Sequence, residues 1–228
     1  MQQLLLLHGA IGAKDQLDPL AENLKDHYEI HSLNFSGHGG EPFPETDFSI
    51  PCFANDVLNY LNQTNIQQIN ILGYSMGGYV AMYLARHRPK LVNKVITLAT
   101  KFYWDETVAA KEVKLLDPNI ISEKIPAFVK QLQQRHSPND WKTVLEKTKE
   151  MLLQLGKNNT MKLEDYKDIS VPCLLLLGDK DKMITLEETV AVRGALSNAE
   201  FKFLPNTPHP IEQVDENLLS SIIRGFVD

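Results

Sequence analysis

The segment from Ile69 to Ala85 restricts the folds open to this chain more than any other stretch. It opens with a short apolar run typical of a strand, passes through Gly73–Gly77, which reads G-x-S-x-G around Ser75, and closes with an apolar run typical of a helix. A chain that turns directly from strand to helix forces the residue at the turn into strained backbone, and only small neighbours let that turn close. The pattern therefore predicts a sharp turn that holds the Ser75 hydroxyl clear of a sheet.

This pattern carries little weight alone, because it is short and glycines at strand–helix turns are common. Its simpler interpretation is a tight turn without chemistry. Its position between a strand and a helix favours a nucleophile, since the new helix directs its N-terminal amides toward any negative charge that develops at Ser75. The other segments of the chain must decide between the two interpretations.

Composition limits the classes of protein to which the chain can belong. Its 228 residues suffice for one sizeable core, and a net charge of -6 without a basic patch argues against a nucleic-acid partner. Cys52 and Cys173 lie far apart, which favours a reduced, intracellular chain. Leu4–Leu7 is too short for a signal peptide, and no apolar run approaches the roughly 20 residues of a transmembrane helix. A cytoplasmic protein without a membrane partner is expected.

Strand-type and helix-type segments alternate through most of the sequence. Runs typical of strands lie at 3–7, 28–35, 69–72, 92–99, 171–177 and 200–204. Segments with helical spacing lie at 15–26, 50–61, 76–88, 186–196 and 214–227. This alternation predicts an α/β protein with a mostly parallel sheet of about six strands, flanked by helices on both faces.

One segment interrupts the alternation. Residues 101–168 are richer in charge and mostly helical in pattern, with the best helix candidates at 122–134 and 138–155 and a helix end expected at Gly156. We therefore predict a core formed by 1–100 and 169–228, with 101–168 inserted over one end of the sheet.

Residues with catalytic chemistry are predicted to meet at one edge of the sheet. In an open parallel sheet, ligands bind beyond the carboxyl ends of the strands. Ser75 follows the third predicted strand, Asp179 and Asp181 follow the fifth, and His209 follows the sixth. A serine, an acid and a histidine thus reach the same edge, in that chain order.

These residues and their order resemble the serine-nucleophile, capped branch of the α/β-hydrolase superfamily. The resemblance covers nearly the whole chain and rests on an oxyanion loop, a G-H-G turn, a nucleophile elbow, a G-x-x-D acid loop and a histidine before the last helix. In that order, the segments are Leu7–Ala10, Ser36–Gly39, Gly73–Gly78, Gly178–Asp181 and Pro208–His209. Five motifs in the family's order are jointly far more specific than any one. The resemblance implies an α/β-hydrolase fold in which 101–168 forms a helical cap.

The resemblance also implies a catalytic triad. Ser75 would be the nucleophile, and His209 the base that removes its proton, because an imidazole titrates near working pH. Asp181 would fix the tautomer of that imidazole, since the family's acid is the last residue of G-x-x-D. Asp179 remains the alternative acid, with a turn residue as its simpler interpretation.

The oxyanion hole and the pocket are predicted in the same way. Backbone N–H groups of Ala10 and Met76 would hold the oxyanion. Side chains beside the nucleophile, the oxyanion loop and the start of the cap would contact substrate: Ile11, Tyr74, Phe102 and Trp104. His8 and His38 are expected to order loops. The remaining histidines are expected at the surface or at helix ends: His27, His31, His87 and His136.

The sequence departs from the family pattern in three places. The family's first two antiparallel strands are expected to be absent, and the segment before the G-H-G turn, Asn34–Ser36, lacks the acidic residue often found there. Pro208 and Pro210 flank His209, which predicts a stiff loop around the base.

We interpret the chain as a carboxylesterase-like serine hydrolase that cleaves a small or medium ester or thioester through an acyl-enzyme. No metal or organic cofactor is expected, because the histidines and cysteines lack metal-ligand spacing and the glycines match neither a dinucleotide fingerprint nor a P-loop. The expected partner is a small-molecule substrate, and the protein would be a monomer or a homodimer.

Three alternatives remain open. A carbon–carbon bond hydrolase and the menaquinone-pathway synthase, a lyase, use a similar triad within the superfamily. The lyase ranks lower because its substrate carboxylates require cations, and Arg86, Arg88 and Arg193 are not expected to reach the site. From another class, the fold also serves as a small-molecule receptor without catalysis.

Overall fold

The computed structural model describes residues 1–228 and contains one sheet of six parallel strands, in the order β2-β1-β3-β4-β5-β6. The strands are β1 (Gln2–Leu7), β2 (Tyr28–Ser32), β3 (Ile69–Tyr74), β4 (Val92–Leu98), β5 (Cys173–Gly178) and β6 (Ala199–Leu204). Every neighbouring pair is parallel. The predicted α/β fold with its six-stranded sheet is confirmed.

The two fully buried strands, β3 and β5, both lie inside the sheet instead of at its edges. Every residue of β3 and β5 is buried, as expected for strands covered on both faces. The register pairs Leu7 with Gly73 and Gly73 with Thr97. The carboxyl ends of β1, β3 and β4 therefore lie side by side, where the sequence analysis predicted the site.

Helices cover both faces of the sheet. They are α1 (Asp18–Leu24), α2 (Ile50–Gln63), α3 (Met76–His87), α8 (Leu186–Ala195) and α9 (Glu216–Val227). Apolar residues of α1 and α9 join one core cluster, and those of α2, α3 and α8 join the other. The sheet is thus sandwiched between two helical layers, as in other doubly wound α/β proteins.

The insertion between β4 and β5 folds into helices. They are α4 (Glu106–Glu112), α5 (Pro118–Lys124), α6 (Pro126–His136) and α7 (Trp141–Lys157). The single helix predicted over 122–134 is wrong, because the chain breaks at Ile125, whose φ of -138° and ψ of 64° are not helical. Pro126 explains the break, since a proline disfavours helical backbone in the residue before it.

The predicted helix end at Gly156 is also wrong, because α7 continues to Lys157. A Cβ at Gly156 would collide with Ala109 of α4 and lie 2.9 Å from the Asp105 carbonyl oxygen. This glycine allows α4 and α7 to approach closely instead of ending the helix.

The insertion is joined to the core unevenly. Val144, Met151, Leu152 and Leu155 of α7 belong to the largest core cluster of the protein. By contrast, residues of α5, α6 and the start of α7 form a separate cluster of four: Ile121, Leu132, Trp141 and Leu145. No helix of the structure has the length and apolar character needed to cross a membrane.

Candidate active site

The turn after β3 holds Ser75 in a strained conformation. Ser75 has φ 51° and ψ -116°, and α3 begins at the next residue. Its N–H donates to the Leu98 carbonyl at 2.8 Å, which ties the turn to the neighbouring strand. A non-glycine residue in such a region costs about 1–3 kcal/mol and persists only where its surroundings enforce it. The turn therefore has the geometry predicted from G-x-S-x-G.

Two glycines allow this turn to close. A Cβ at Gly73 would collide with the backbone of Gly77, and a Cβ at Gly77 would press on the carbonyl oxygens of Leu7 and His8. Backbone packs directly on backbone here, so only glycine fits. The close approach brings the start of α3 against the end of β1, beside the loop that follows it.

His209 and Asp181 lie together at the same edge. His209 Nδ1 is 2.8 Å from Asp181 Oδ2, and the Asp181 side chain is fully buried. Because the carboxylate accepts, Nδ1 carries the proton and Nε2 is left with its lone pair. This is the tautomer that a general base requires.

The other oxygen of Asp181 is held by its own turn. Asp181 Oδ1 accepts from the N–H groups of Met183 at 2.8 Å and Ile184 at 3.1 Å. Burial acts to raise the pKa of Asp181, but the hydrogen bond and the electrostatic attraction of the His209 ring, with these two N–H groups, outweigh it and lower the pKa below its ordinary value. Asp181 is thus held as a carboxylate.

Asp179, the alternative acid, has a different environment. Its Oδ1 accepts from the Thr207 N–H at 3.1 Å, and it makes no hydrogen bond to His209. This contact fits the turn-residue interpretation, since an aspartate side chain commonly bonds to nearby backbone.

Tyr74 connects the elbow to the loop that carries His209. Its hydroxyl donates to the His209 carbonyl oxygen at 3.1 Å, and the two rings lie 5.6 Å apart between centroids. No hydrogen bond joins Ser75 Oγ to His209, although both line one cavity. The structure therefore brings Ser75, His209 and Asp181 to one site, with only the His209–Asp181 contact formed.

The loop after β1 lies beside Ser75. Gly12 N–H donates to the Gly9 carbonyl at 3.2 Å, which closes a turn around Ala10 and Ile11. Ala10 N–H makes no hydrogen bond within the protein, and Met76 N–H is the first amide of α3. Both residues line the same cavity as Ser75.

Three buried histidines form a cluster behind this loop. The ring centroids of His8 and His38 are 5.3 Å apart, and those of His38 and His136 are 5.8 Å apart. His8 Nδ1 donates to the Gly9 carbonyl at 2.8 Å, and its Nε2 accepts from the Phe35 N–H at 3.1 Å. Burial lowers the pKa of His8 to about 3 and lowers that of His38 well below its ordinary value. Burial therefore favours the neutral form of both rings.

His136 ends α6, as expected of a helix-end residue, but it is also fully buried and contacts two loops of the core. No local sequence pattern indicates this burial, because the contact depends on how the insertion folds over the sheet.

A cavity of about 320 Å³ opens at this edge of the sheet. Most of its lining is apolar and comes from the core loops and from the insertion: Ala10, Ile11, Ile50, Tyr74, Met76, Tyr79, Trp104, Leu115, Leu116, Phe128, Met151, Leu152, Leu155, Met183 and Ile184. Three of the four side chains predicted to contact substrate, those of Ile11, Tyr74 and Trp104, line it.

Phe102 is the exception and does not line the cavity. Its side chain is buried in the core, where its ring packs edge-on against Tyr166 with centroids 5.7 Å apart. Its N–H donates to Glu188 at 2.9 Å, which fixes the first turn of the insertion. Phe102 anchors the insertion instead of facing a ligand, so its predicted role as a contact residue is corrected.

Two cations that are not among the predicted site residues also line the cavity. Lys101 pairs with Glu112 at 3.4 Å, and both side chains are nearly buried. Arg135 lies 3.4 Å from Asp15 and 3.7 Å from Glu212. Lys101 lies two residues after the end of a predicted strand and could have been selected on that ground. Arg135 lies within α6, whose placement the sequence does not reveal.

No group of three or more His, Cys, Asp and Glu side chains in the structure has a geometry that could hold a metal ion.

Comparisons with known proteins fit this fold. The alpha/beta hydrolase fold family model matches residues 3–141. A hydrolase from Acinetobacter baylyi, named for (E)-2-((N-methylformamido)methylene)succinate, is 20% identical over 240 residues, covering 100% of this chain and 90% of that protein. A solved thermophilic esterase from Thermogutta terrifontis has a TM-score of 0.80 and 19% identity, over 100% of this chain and 89% of that one.

A shorter match has higher identity. An sn-1-specific diacylglycerol lipase from Xenopus laevis is 33% identical over 97 residues, which are 42% of this chain and 31% of the lipase. The chain thus aligns with about a third of that relative. The family model covers more than half of the chain, and the chain therefore belongs to the alpha/beta hydrolase fold family. It is an α/β-fold hydrolase.

Proposed function

We propose that this protein is a serine hydrolase that cleaves a small or medium ester or thioester through an acyl-enzyme, with Ser75, His209 and Asp181 as its triad. The observation that carries the proposal is the convergence of a strained, cavity-facing Ser75 with a histidine whose Nδ1 lies 2.8 Å from a fully buried carboxylate. Serine is a weak nucleophile until an adjacent base accepts its proton, and this arrangement supplies one.

In the first half of the reaction, Ser75 Oγ attacks the acyl carbon while its proton passes to His209 Nε2. Asp181 stabilises the imidazolium that forms. The N–H groups of Ala10 and Met76 hold the oxyanion, and the lack of a protein acceptor for Ala10 supports that role. When the tetrahedral intermediate collapses, the leaving oxygen or sulfur takes the proton from His209.

In the second half, water attacks the acyl-serine and His209 Nε2 accepts a proton from the water. Collapse of the second intermediate breaks the bond between the acyl carbon and Ser75 Oγ, which regains its proton from His209. The carboxylic acid is then released, and no redox partner is needed.

The cavity supports an acyl group of limited size. Its volume of about 320 Å³ is at the lower end of the roughly 300–1,000 Å³ of ligand pockets. Apolar side chains of α7 and Trp104 line it, which favours an aliphatic or aromatic acyl chain over a highly polar one.

A second candidate function has one observation in its favour. Lys101 and Arg135 place cations in the cavity wall, as a substrate with carboxylates would require, whether the reaction is carbon–carbon hydrolysis or the lyase step. Both cations already face carboxylates of the protein. Ester hydrolysis therefore remains first. A comparison of p-nitrophenyl butyrate with the p-nitrophenyl half-ester of succinate tests whether the cavity prefers a neutral or a carboxylate-bearing acyl group. The cyclohexadiene carboxylate that the menaquinone-pathway synthase uses is assayed in parallel.

The test of the proposal is intact-mass spectrometry after treatment with a fluorophosphonate. We expect one adduct on the wild-type protein, none on Ser75→Ala, and strongly slowed labelling of His209→Ala. Ser36→Ala is the matched control, because Ser36 lies on a neighbouring loop where its hydroxyl donates to Asp56 at 2.7 Å. An adduct that persists in Ser75→Ala would overturn the assignment of the nucleophile.

The two aspartates provide a second test. Asp181→Asn should lower kcat for p-nitrophenyl butyrate by about 10³–10⁴-fold, since it favours the wrong tautomer of His209. Asp179→Asn keeps an acceptor for Thr207 and should change kcat less than about threefold. If Asp179→Asn is the more damaging variant, the acid has been misassigned. Binding of small molecules without turnover or adduct would favour the receptor alternative.

A further inference from the structure

The end of α6 attaches the insertion to loops of the core. Arg135 approaches Asp15 and Glu212, and Asn139 Nδ2 donates to the Gly37 carbonyl at 3.2 Å. Between these residues lies His136, which is fully buried. These contacts reach the loops after β1, β2 and β6, all on the edge that carries the candidate active site.

His136 is fixed by two hydrogen bonds of defined direction. Its Nδ1 accepts from the Gly39 N–H at 3.1 Å, because a backbone amide can only donate. Its Nε2 must therefore carry the proton, which it donates to the Ile11 carbonyl at 3.0 Å. The two partners belong to different loops, and Ile11 lies 125 residues away in sequence.

The Ile11 carbonyl belongs to the peptide group that closes the turn of residues 9–12, which carries the proposed oxyanion donor Ala10 N–H. The same peptide group carries Gly12 N–H, which donates to the Gly9 carbonyl at 3.2 Å. The Gly9 carbonyl in turn shares its peptide group with Ala10 N–H. A line of hydrogen bonds thus runs from His136 through two peptide groups to the proposed oxyanion donor, and aligned bonds of this kind strengthen one another.

The turn has few other restraints. Ile11 has φ 53°, an unfavourable conformation for a β-branched residue. Besides the backbone hydrogen bond from Gly12 to Gly9, two side chains bond to the backbone of 9–12. His8 donates to the Gly9 carbonyl, and His136 donates to the Ile11 carbonyl. One histidine is supplied by the core and the other by the insertion, on either side of Ala10.

We propose that His136 is a positioning residue for the hydrolase reaction, which sets the direction of Ala10 N–H by holding the Ile11–Gly12 peptide group. This inference rests on the proposed function. It makes the insertion part of the catalytic apparatus as well as a wall of the pocket. A donor that is preorganised in this way acts on the oxyanion and has little effect on the binding of substrate.

Two amide substitutions separate the two bonds of His136. In His136→Gln, the side-chain amide nitrogen can occupy the position of Nε2 and keep the donor to Ile11. In His136→Asn, the shorter side chain can occupy the position of Nδ1 and keep the acceptor for Gly39, but it cannot reach Ile11. The variants are uncharged and differ by one methylene.

With p-nitrophenyl butyrate, His136→Asn should lower kcat by about ten- to a hundredfold while KM changes less than about threefold, as expected when a catalytic group is displaced without loss of binding. His136→Gln should retain kcat within about threefold of the wild type. Equal losses in the two variants, or no loss in His136→Asn, would refute the positioning role. If His136→Asn fails to fold, His136→Gln alone decides. A loss of more than tenfold in its kcat would then refute the positioning role.

Amide hydrogen exchange at Gly12, measured by NMR, gives a readout that needs no turnover. Exchange at this amide should be faster in His136→Asn than in the wild type and unchanged in His136→Gln. Unchanged Gly12 protection in His136→Asn would overturn the inference. A wild-type protein that takes no fluorophosphonate adduct and cleaves no ester would instead overturn the proposed function, which the exchange data leave untouched.

Discussion

The two sides of the cavity are built on different principles. On the sheet side, the position of Ser75 is enforced by backbone contacts, such as that of Gly77 with the carbonyl groups of Leu7 and His8. On the insertion side, position depends on side chains that reach far along the sequence, such as His136 on Ile11. Contacts of the first kind require glycines, which are recognisable in the local sequence. Contacts of the second kind follow no local sequence pattern.

The packing of the two sides differs in the same sense. The central strands belong to core clusters of 34 and 21 buried residues, whereas α5 and α6 share a cluster of four with the start of α7. A small cluster gives little cooperative stability, so α5 and α6 are the part of the site most able to open locally. We therefore expect the backbone of the elbow to stay in place, whereas α5 and α6 open locally.

The largest effect is expected from Gly77→Ala, which attacks the rigid side. The added Cβ would lie 2.5 Å from the Leu7 carbonyl oxygen, and β1 cannot move away from α3 without breaking its pairing in the sheet. We expect the free energy of unfolding to fall by about 3 kcal/mol or more. Urea denaturation followed by circular dichroism measures it.

Gly194→Ala is the matched control. Gly194 also lies within a helix, α8, but a Cβ there meets no atom within 4 Å. Alanine should stabilise the protein by about 0.5–1 kcal/mol. If Gly77→Ala were as harmless as this control, the elbow would be less constrained than its contacts indicate.

A smaller effect is expected from Leu132→Ala in α6 of the insertion. Leu132 is fully buried, but its cluster has only four members. We therefore expect a loss at the lower end of the range for such substitutions, about 2 kcal/mol. It should appear as local opening, with roughly thirtyfold faster cleavage by a low concentration of protease within 113–140.

Leu72→Ala, in the middle of β3, provides the contrast, since Leu72 is equally buried but belongs to a cluster of 21 residues. It should lower the midpoint of global unfolding without selective cleavage of the insertion. If Leu132→Ala lowers that midpoint as much as Leu72→Ala does and cleavage stays uniform, the insertion and the core unfold as one unit.

The same contrast explains how far the sequence could predict the structure. The strand ends were found because apolar runs stop at glycine, serine or acidic residues, as at Ser75 and Asp181. The break at Ile125 was missed because helical spacing continues across it, and only Pro126 signals it. Phe102 and Trp104 could not be told apart, since both follow the same strand end and tertiary packing alone sends one ring into the core.

The charged lining and the role of His136 were beyond local sequence. Arg135 and His136 end a helix whose rotation and docking decide whether they face solvent or the sheet edge. Their partners Asp15 and Ile11 lie in a loop more than 100 residues earlier. No periodicity links positions at that separation.

The smallest expected effect concerns the stability of the fold at acidic pH. Buried histidines from the core and from the insertion both contribute to it. Burial lowers the folded-state pKa of His8, His38 and His136 below 6.5, the ordinary value. For His136, Arg135 lowers the pKa further, while the Ile11 carbonyl and Asp15 oppose this. Below pH 6.5 the unfolded chain then binds more protons than the folded protein. The stabilisation is complete above pH 6.5 and is lost as the pH falls toward each folded-state pKa, which is about 3 for His8.

His136→Gln removes one of these titrations and keeps the contact with Ile11. Its free energy of unfolding should therefore fall less than that of the wild type as the pH drops below 6.5, because a group with a lowered folded-state pKa takes up its proton more readily in the unfolded chain. Urea denaturation at several pH values measures the difference. Parallel curves would mean that His136 takes up protons as readily in the folded protein as in the unfolded chain. In that case the end of α6 would already open to water in the native state, and the junction with the oxyanion loop would be as yielding as α5 and α6.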